Sequence, residues 1–357
     1  MTIKTAYIVS LKFSPGLKKE FIALGENIRK KGINVKYLLS IWYKELEGNC
    51  DGIEYLTTSR NLKEVIMDSG RLIDYKKLLY IFSRYPPIFL CFYNPHPFNP
   101  FVARFVKKKF NKVITALYLH DPYKPDKTPY GTAKATYIKL VEFIQDLTVK
   151  YMDHIISPSG YSSQLFKKRY PKFKGETHIA PLLIPDQKAL HNKKRRFFSI
   201  VGGVNPATGL DTFVELVNHI ALKKLNYEFA LISSSNISGY LRKLTSKART
   251  ILKIINKKLI NDSEINEVIR KSYAGFRLDK EVTQSGIIPV SFMNETPVIV
   301  RNIPGLRQHV KHKYNGYILP LNCTFEELIK SMDFVKQNFS WLSHNARRSY
   351  EDSSYLV

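Results

Sequence analysis

The sequence predicts an α/β protein built from two successive domains, each with a parallel sheet covered by helices on both faces. Three observations lead to this prediction. The chain has 357 residues, which is more than a single core of ordinary size organises. Short apolar strands alternate with amphipathic helices along most of its length. A polar and basic stretch over residues 186–196 interrupts this alternation, which then begins again.

The first half opens with a strand–helix–strand unit. Residues 6–11 read as a buried strand, residues 17–31 repeat apolar side chains at helical spacing, and Gly32 is a suitable helix stop. A second strand follows at once, and such short connections suit a parallel sheet. The remaining strands are predicted at 33–39, 52–56, 88–93, 116–120, 154–157 and 179–183, with a helix over 133–151.

The second half repeats the alternation after the polar stretch. Strands are predicted at 197–201, 227–233, 273–278 and 297–300, and helices at 209–222, 247–259, 286–294, 325–337 and 339–350. We therefore expect an N-terminal domain over 1–185 and a C-terminal domain over 195–335. The last helix, within 336–357, is expected to pack back on the first domain. Ligands of such sheets bind beyond the carboxyl ends of the strands.

The composition restricts the class of protein. Three cysteines without a CxxC pair favour neither a disulfide framework nor a zinc site. The amino terminus reads as a strand rather than a signal peptide, and the longest apolar run, 88–93, is far shorter than a membrane span. These features predict a cytoplasmic protein.

The charge is strongly positive. There are 56 lysines and arginines against 30 acidic residues, a formal net charge of +26 spread over many short clusters. Such an excess suggests a polyanionic neighbour, either an anionic membrane surface or nucleic acid. A general preference for surface lysine explains it equally well. The membrane interpretation would place the protein peripherally on the inner face of the membrane.

Several segments occur in an order that a known family shares. They are the opening unit with its Pro-Gly turn at 15–16, LHDP at 119–122, IISPS at 155–159, VGGVNPATGLD at 201–211 and TQSG at 283–286. Together they resemble the group 1 (family 4) glycosyltransferases. The resemblance implies the GT-B fold, in which two Rossmann-like domains face each other across a cleft.

The same resemblance implies an activity. It is that of a hexosyltransferase-type enzyme that moves a sugar from a nucleotide-sugar donor to a glycan or lipid-linked glycan, with retention of the anomeric configuration. Cell-surface polysaccharide or glycan biosynthesis would be the setting. No metal or other cofactor is implied, since the nucleotide sugar is a substrate.

Two departures separate this chain from the family pattern. Where the family places an arginine and a lysine after the first donor-domain strand, the chain has Gly203 and Thr208. The two glutamates that the family spaces eight residues apart are missing from 283–291, and Glu281 is out of register. The chain is therefore either a divergent enzyme or a catalytically silent scaffold or partner protein. A nucleic-acid-binding protein is a third interpretation, suggested by the charge alone.

The donor site is expected in the second domain, because a diphosphate needs N–H donors and positive charge. TQSG lies between a strand and a helix, where free N–H groups face a ligand, although it also suits an ordinary helix start. Nearby basic residues would replace the missing pair, unless they are merely solvated. The predicted donor-binding residues are Gly202, Gly203, Asn205, Arg277, Lys280, Thr283, Gln284, Ser285 and Gly286.

The acceptor side is expected in the first domain. His120, at a predicted strand end, is the catalytic candidate: it would hydrogen-bond a sugar hydroxyl or orient a catalytic group, unless local backbone satisfies it. Gly16, Asn94, His96 and Asp121 also follow predicted strands and would line the acceptor side. Asp121 has no second carboxylate at metal-binding spacing, so no metal site is predicted.

Overall fold

The computed structural model describes residues 4–14, 17–46, 51–59, 64, 75–110, 112–182, 184–187, 194–258 and 260–352. The chain divides into two compact units. Unit 1 contains residues 1–123 and 133–183, and unit 2 contains residues 124–132 and 184–357. The short segment 124–132 therefore belongs to unit 2, although its neighbours in sequence on both sides belong to unit 1.

Unit 1 is a seven-stranded parallel sheet with helices between successive strands, as predicted. The strand order is β3-β2-β1-β4-β5-β6-β7. Its elements are β1 (Thr5–Ser10), α1 (Lys18–Lys30), β2 (Asn34–Ser40), a 3-10 helix (Ile41–Leu46), β3 (Ile53–Thr57), α2 (Tyr75–Arg84), β4 (Pro87–Tyr93), α3 (Asn99–Lys109), β5 (Ile114–Tyr118), α4 (Thr132–Val149), β6 (His154–Ser157), α5 (Gly160–Arg169) and β7 (Glu176–Ile179).

Helices cover both faces of this sheet, so both faces are buried. The side chains of each strand point alternately to the two faces. In β1, Tyr7 and Val9 enter one hydrophobic core and Ile8 enters the other. Phe21 of α1 covers the Ile8 face, and Phe82 of α2 packs on the opposite face. The apolar periodicity of 17–31 thus predicted α1 correctly, and Gly32, with φ 75°, ends it.

Unit 2 repeats this plan with a six-stranded parallel sheet in the order β10-β9-β8-β11-β12-β13. A 3-10 turn (Thr128–Tyr130) lies in its first segment. The other elements are β8 (Phe197–Val201), α6 (Leu210–Leu222), β9 (Glu228–Ser233), α7 (Ser238–Leu241), α8 (Ser246–Thr250), β10 (Leu252–Asn256), α9 (Asp262–Arg270), β11 (Ser272–Arg277), α10 (Ile287–Met293), β12 (Val298–Arg301), α11 (Pro304–Arg307), β13 (Gly316–Leu319), α12 (Phe325–Gln337) and α13 (Phe339–Glu351).

Two secondary-structure predictions were wrong. The helix expected over 247–259 is a short helix followed by strand β10, whose Ile254 and Ile255 pair with β9. Apolar spacing there fits both states, and β-branched residues favour the strand once a neighbouring strand is present. The strand expected at 179–183 lies earlier, at Glu176–Ile179.

The last helix, α13, packs within unit 2. The Tyr350 hydroxyl donates to the Ile184 carbonyl at 2.7 Å. The Arg347 guanidinium donates to both carboxylate oxygens of Asp186, at 2.5 and 3.1 Å. These bonds hold the start of the second segment of unit 2, which begins at residue 184, against the helix. The expected packing of this helix on the first domain stays a prediction. None of the described helices is long and apolar enough to cross a membrane.

Candidate functional site

In unit 2 the predicted donor residues lie where the strand order reverses. From β8 the chain continues through β9 and β10 on one side, then crosses to β11, β12 and β13 on the other. The loops that follow β8 and β11 therefore diverge, which leaves a crevice at the carboxyl ends of these strands. Gly202, Gly203 and Asn205 follow β8, and residues 277–286 end β11 and follow it. The structure thus brings both predicted segments to one sheet edge.

The loop after β8 is a tight turn held by Asn205. Its side-chain oxygen accepts from the Ala207 N–H at 2.8 Å, and its carbonyl accepts from the Thr208 hydroxyl at 2.7 Å. Gly202 has a φ of 115°, a backbone conformation that residues other than glycine rarely adopt. A Cβ at Gly203 would meet nothing closer than the Ser235 Oγ at 3.9 Å, so this part of the loop is open.

The two loops are joined by backbone contacts. The Lys280 N–H donates to the Ala207 carbonyl at 2.7 Å. Gly209, with φ 69°, lies so close to β11 that a Cβ there would stand 2.1 Å from the Leu278 carbonyl oxygen. The position of one loop therefore fixes the position of the other.

Arg277 is less available than the sequence suggests. Its Nε and Nη2 donate to the two carboxylate oxygens of Asp279 at 2.9 and 2.8 Å, and both side chains are largely buried. Burial raises the pKa of the Asp279 carboxyl, and the adjacent guanidinium offsets part of that rise. The third nitrogen, Nη1, lies on the Gly202 side, 3.9 Å from where a Cβ at that glycine would stand.

Lys280 also has an acidic partner, but a more exposed one. Its Nζ lies 2.5 Å from Asp211 Oδ2 in the first turn of α6, and both side chains are about one-third exposed. Burial tends to raise the pKa of Asp211, but Lys280, the Thr212 N–H and the charge of Arg301 together outweigh it, so that this pKa is lowered. An exposed pair of this kind contributes little stability and separates easily. Lys280 can therefore turn to an anionic ligand at small cost.

Arg301 is a site residue that the sequence reasoning missed. It ends β12, is 7% exposed, and donates to the Leu278 carbonyl at 2.9 Å and to the Thr212 hydroxyl at 3.0 Å. Among the described residues its Nε has no hydrogen-bond partner. The available signal was an arginine that ends an otherwise apolar strand, VIVR. It brings a third cation to this sheet edge, beside the largely buried Arg277 and the exposed Lys280.

The predicted TQSG segment forms a packed turn before α10. Thr283 and Ser285 are buried, and Gln284 is half-buried. Gly286 is exposed at the start of the helix and has no side-chain cap. The Thr283 carbonyl accepts from Gln308 at 3.2 Å, and the Ser285 Oγ has no partner within the described part of the chain. This segment offers a buried hydroxyl and backbone donors, without a carboxylate.

Glu281, which is out of register with the family pattern, forms a hydrogen bond with segment 124–132 of unit 2. The Tyr130 hydroxyl donates to its Oε2 at 2.8 Å, and the Lys124 Nζ lies 3.7 Å from the same atom. The carboxylate is thus used internally. Lys124 also acts on Asp279, whose pKa its charge helps to lower against the larger effect of burial.

In unit 1 the strand order reverses between β1 and β4, and the predicted acceptor residue Asn94 lies there. Asn94, at a φ of 63°, donates from its side chain to the Ser10 Oγ at 3.1 Å and to the Lys12 carbonyl at 3.3 Å. It therefore ties the end of β4 to the loop after β1. Gly16, predicted in that loop, lies outside the described residues.

His96 is internal rather than cleft-facing. It is 0% exposed, its Nδ1 accepts from the Phe98 N–H at 3.2 Å, and its Nε2 contacts the Ser59 Oγ at 3.0 Å. Because Nδ1 accepts, Nε2 carries the proton and donates to the serine. Both ring nitrogens are therefore occupied, and the geometry gives no support to the expectation that His96 lines an acceptor site.

His120 follows β5 and lies against a buried carboxylate. Its Nε2 is 3.2 Å from Glu20 Oε2 on α1, and its ring packs on Tyr118 with centroids 5.0 Å apart. The Ser162 hydroxyl donates to its carbonyl at 3.0 Å, which holds the loop. Glu20 is a partner that the sequence reasoning did not identify, since 100 residues separate the two. Asp121 is exposed beside this pair.

The fold, though not the sequence, has close parallels among known proteins. No protein-family model and no curated protein matches the sequence. Sucrose-phosphate synthase from Thermosynechococcus elongatus is similar in structure, with a TM-score of 0.72 at 13% identity over 98% of this chain and 94% of that one. WaaG, a glycosyltransferase involved in lipopolysaccharide biosynthesis, has a TM-score of 0.68 at 12% identity over 98% and 96%.

Anabaena HepE in complex with UDP is a third parallel, with a TM-score of 0.68 at 13% identity over 98% of this chain and 94% of that one. All three share two parallel-sheet, Rossmann-like domains with this chain. The GT-B fold predicted from the sequence resemblance is therefore confirmed. At these identities the similarity concerns the fold, and the residues of the site must be argued from their own geometry.

Proposed function

We propose that this chain is a glycosyltransferase that moves a sugar from a nucleotide-sugar donor to a hydroxyl of a glycan or lipid-linked glycan. The observation that carries the proposal is the pair of interlocked loops after β8 and β11 in unit 2. HepE, which shares the fold, has been solved with UDP and with UDP-glucose. A hexose donor, retention of configuration and a place in cell-surface glycan biosynthesis are the finer parts of the proposal.

In the proposed reaction the bond between the anomeric carbon and the diphosphate oxygen breaks. The acceptor oxygen forms a new bond to that carbon, and its proton passes to the departing nucleoside diphosphate. The protein must stabilise the negative charge that develops on the leaving group. Arg277 Nη1, Lys280 and Arg301 are the cations that unit 2 offers, and the open backbone at Gly203 allows close approach. No resident cofactor is needed for this step.

On the acceptor side we propose that His120 positions a sugar hydroxyl. Its Nε2 lies 3.2 Å from the buried Glu20 carboxylate, which would favour a charged or polar partner beside the ring. Asp121 and Asn94 lie at the same carboxyl edge of the unit 1 sheet. The silent-scaffold alternative draws on one observation, that Arg277 and Lys280 already pair with Asp279 and Asp211.

Donor binding decides between these alternatives. A thermal-shift screen of the full chain against UDP-, GDP-, dTDP- and CMP-sugars should identify one nucleotide class that raises the unfolding temperature. In calorimetry with that donor, Arg277→Ala should weaken binding about 10–100-fold, the scale of a lost hydrogen bond to a charged group. Absence of binding across the panel would favour the scaffold.

The Arg277→Ala experiment needs a companion, because it leaves the Asp279 carboxylate buried and unpaired. The double variant Arg277→Ala/Asp279→Ala removes both charges and should recover stability but not donor affinity. Asp279→Asn alone should bind the donor within a few-fold of wild type. Wild-type affinity in the double variant would show that Arg277 does not contact the diphosphate.

We also propose that unit 1 contacts anionic membrane through α4. This helix buries polar side chains and exposes apolar ones. Glu142, Gln145 and Thr148 are buried, whereas Leu140 and Phe143 are 47% and 57% exposed. Lys139 is exposed beside these two side chains, and a helix that exposes apolar and basic side chains together suits a membrane interface.

Flotation with liposomes at low salt tests this contact. The chain should float with anionic vesicles and remain behind with neutral ones, since each lysine near the surface contributes about 1 kcal/mol. Leu140→Ser/Phe143→Ser should abolish flotation, whereas Leu222→Ser, at a 72% exposed position in unit 2, should not. Equal recovery with both lipids would contradict the proposed membrane contact and favour a soluble acceptor.

A further inference from the structure

Three metal-ligating side chains lie together on the last two strands of the unit 1 sheet. His154 begins β6, and Glu176 and His178 are the first and third residues of β7. The parallel register pairs His154 with Glu176, and Ile156 with His178. Because side chains two residues apart on a strand share a face, all three project from the same side of the sheet.

Their ligand atoms stand at the separations that a small cation requires. His154 Nδ1 lies 2.9 Å from His178 Nε2, and Glu176 Oε2 lies 3.6 Å from the first nitrogen and 3.5 Å from the second. In a tetrahedral zinc site with bonds of about 2.0–2.1 Å, neighbouring ligand atoms are about 3.3–3.4 Å apart. Each observed separation is within about half an ångström of that distance.

We propose that His154, Glu176 and His178 form a binding site for a divalent transition metal, with Zn²⁺ as the ion of choice. Two imidazole nitrogens and one carboxylate suit zinc and its neighbours, whereas Mg²⁺ and Ca²⁺ prefer oxygen ligands alone. Three protein ligands leave a fourth position for water. These three are the residues of the described chain that group as metal ligands.

The surroundings fit an ion that ties strands together. Side-chain exposures of 27%, 72% and 47% for His154, Glu176 and His178 let a hydrated ion enter from solvent. The neighbouring Asp153 does not compete, because Lys107 and the Thr115 N–H already bond its carboxylate. The short strand β7 is the sheet edge, and a metal would fasten it to β6.

This site is independent of the proposed transfer reaction. His154 and Glu176 are the first residues of their strands, whereas the candidate acceptor residues follow the carboxyl ends of strands in the same sheet. No metal site was predicted from the sequence, because the cysteines form no CxxC pair and Asp121 has no second carboxylate at metal-binding spacing. Only the register of β6 against β7 brings residues 154 and 176 together.

Metal titration of the tag-free, chelator-treated full chain tests the proposal. Calorimetry with ZnCl₂ should give one site per chain in the micromolar range or tighter, and MgCl₂ should give none. Co²⁺ should produce the visible absorption of a four-coordinate ion. His154→Ala and His178→Ala should each weaken Zn²⁺ binding at least 10-fold. Glu176→Gln should also weaken it, although glutamine has nearly the size and shape of glutamate.

His344→Ala is the matched control, since His344 is exposed and lies in unit 2. It should leave Zn²⁺ affinity unchanged. Circular dichroism of each variant establishes that the fold is retained. Equal uptake by the wild type and the His154→Ala/His178→Ala double variant would overturn the site. So would a loss in His344→Ala as large as that in His178→Ala, which would show adventitious binding to surface histidines.

Discussion

Replacing Gly209 with alanine is expected to lower the free energy of unfolding of unit 2 by about 2–5 kcal/mol. Two costs add. A left-handed backbone costs an alanine about 1–2 kcal/mol, and forcing a methyl group into a packed site costs about 1–3 kcal/mol. Both apply here, because Gly209 has a φ of 69° and its Cβ would stand 2.1 Å from a backbone oxygen, which cannot swing away.

Tryptophan fluorescence separates the two units in this experiment. The chain has two tryptophans, Trp42 in unit 1 and Trp341 in unit 2, so a Trp42→Phe background reports urea unfolding of unit 2 alone. Gly239→Ala is the control, since nothing lies within 4 Å of a Cβ there and the residue is helical. It should leave stability unchanged or raise it by about 0.5–1 kcal/mol. Wild-type unfolding of Gly209→Ala would contradict the interlocked loops.

The fold was predictable because it depends on local patterns. Apolar periodicity and glycine stops placed β1, α1 and β2 and most of the strands of unit 2 correctly, since those patterns decide which face of an element is buried. The prediction of a helix at 247–259 failed because apolar spacing alone cannot distinguish a short helix from a strand. Pairing with β9 decides that case, and such pairing joins residues distant in sequence.

The site was less predictable because its charges are paired through space. The sequence placed Arg277 and Lys280 near the expected donor but did not show that Asp279 and Asp211 already bond them. Glu20 contacts His120, which is 100 residues away in sequence, and His154 contacts His178 on the neighbouring strand. A buried ion pair depends on the packing that excludes water from it. The sequence therefore supplied the candidates, and the contacts show which of them already have partners.

The second large effect is expected at Gly203, where a side chain should block the donor without harming the fold. A Cβ there meets nothing closer than the Ser235 Oγ at 3.9 Å, so a methyl group fits the protein itself. The same space is where a diphosphate would approach the backbone after β8. Gly203→Val should therefore weaken donor binding at least about 100-fold, a loss of roughly 2.7 kcal/mol.

A graded series makes this prediction specific. Donor affinity, measured by calorimetry, should fall from wild type to Gly203→Ala to Gly203→Val, because each added carbon removes space from the ligand. Stability, reported by Trp341, should stay within about 0.5 kcal/mol across the series, as expected for an open position. Gly209→Ala should behave oppositely, losing stability first. If Gly203→Val binds the donor like the wild type, the diphosphate does not lie against this loop, and the scaffold alternative gains.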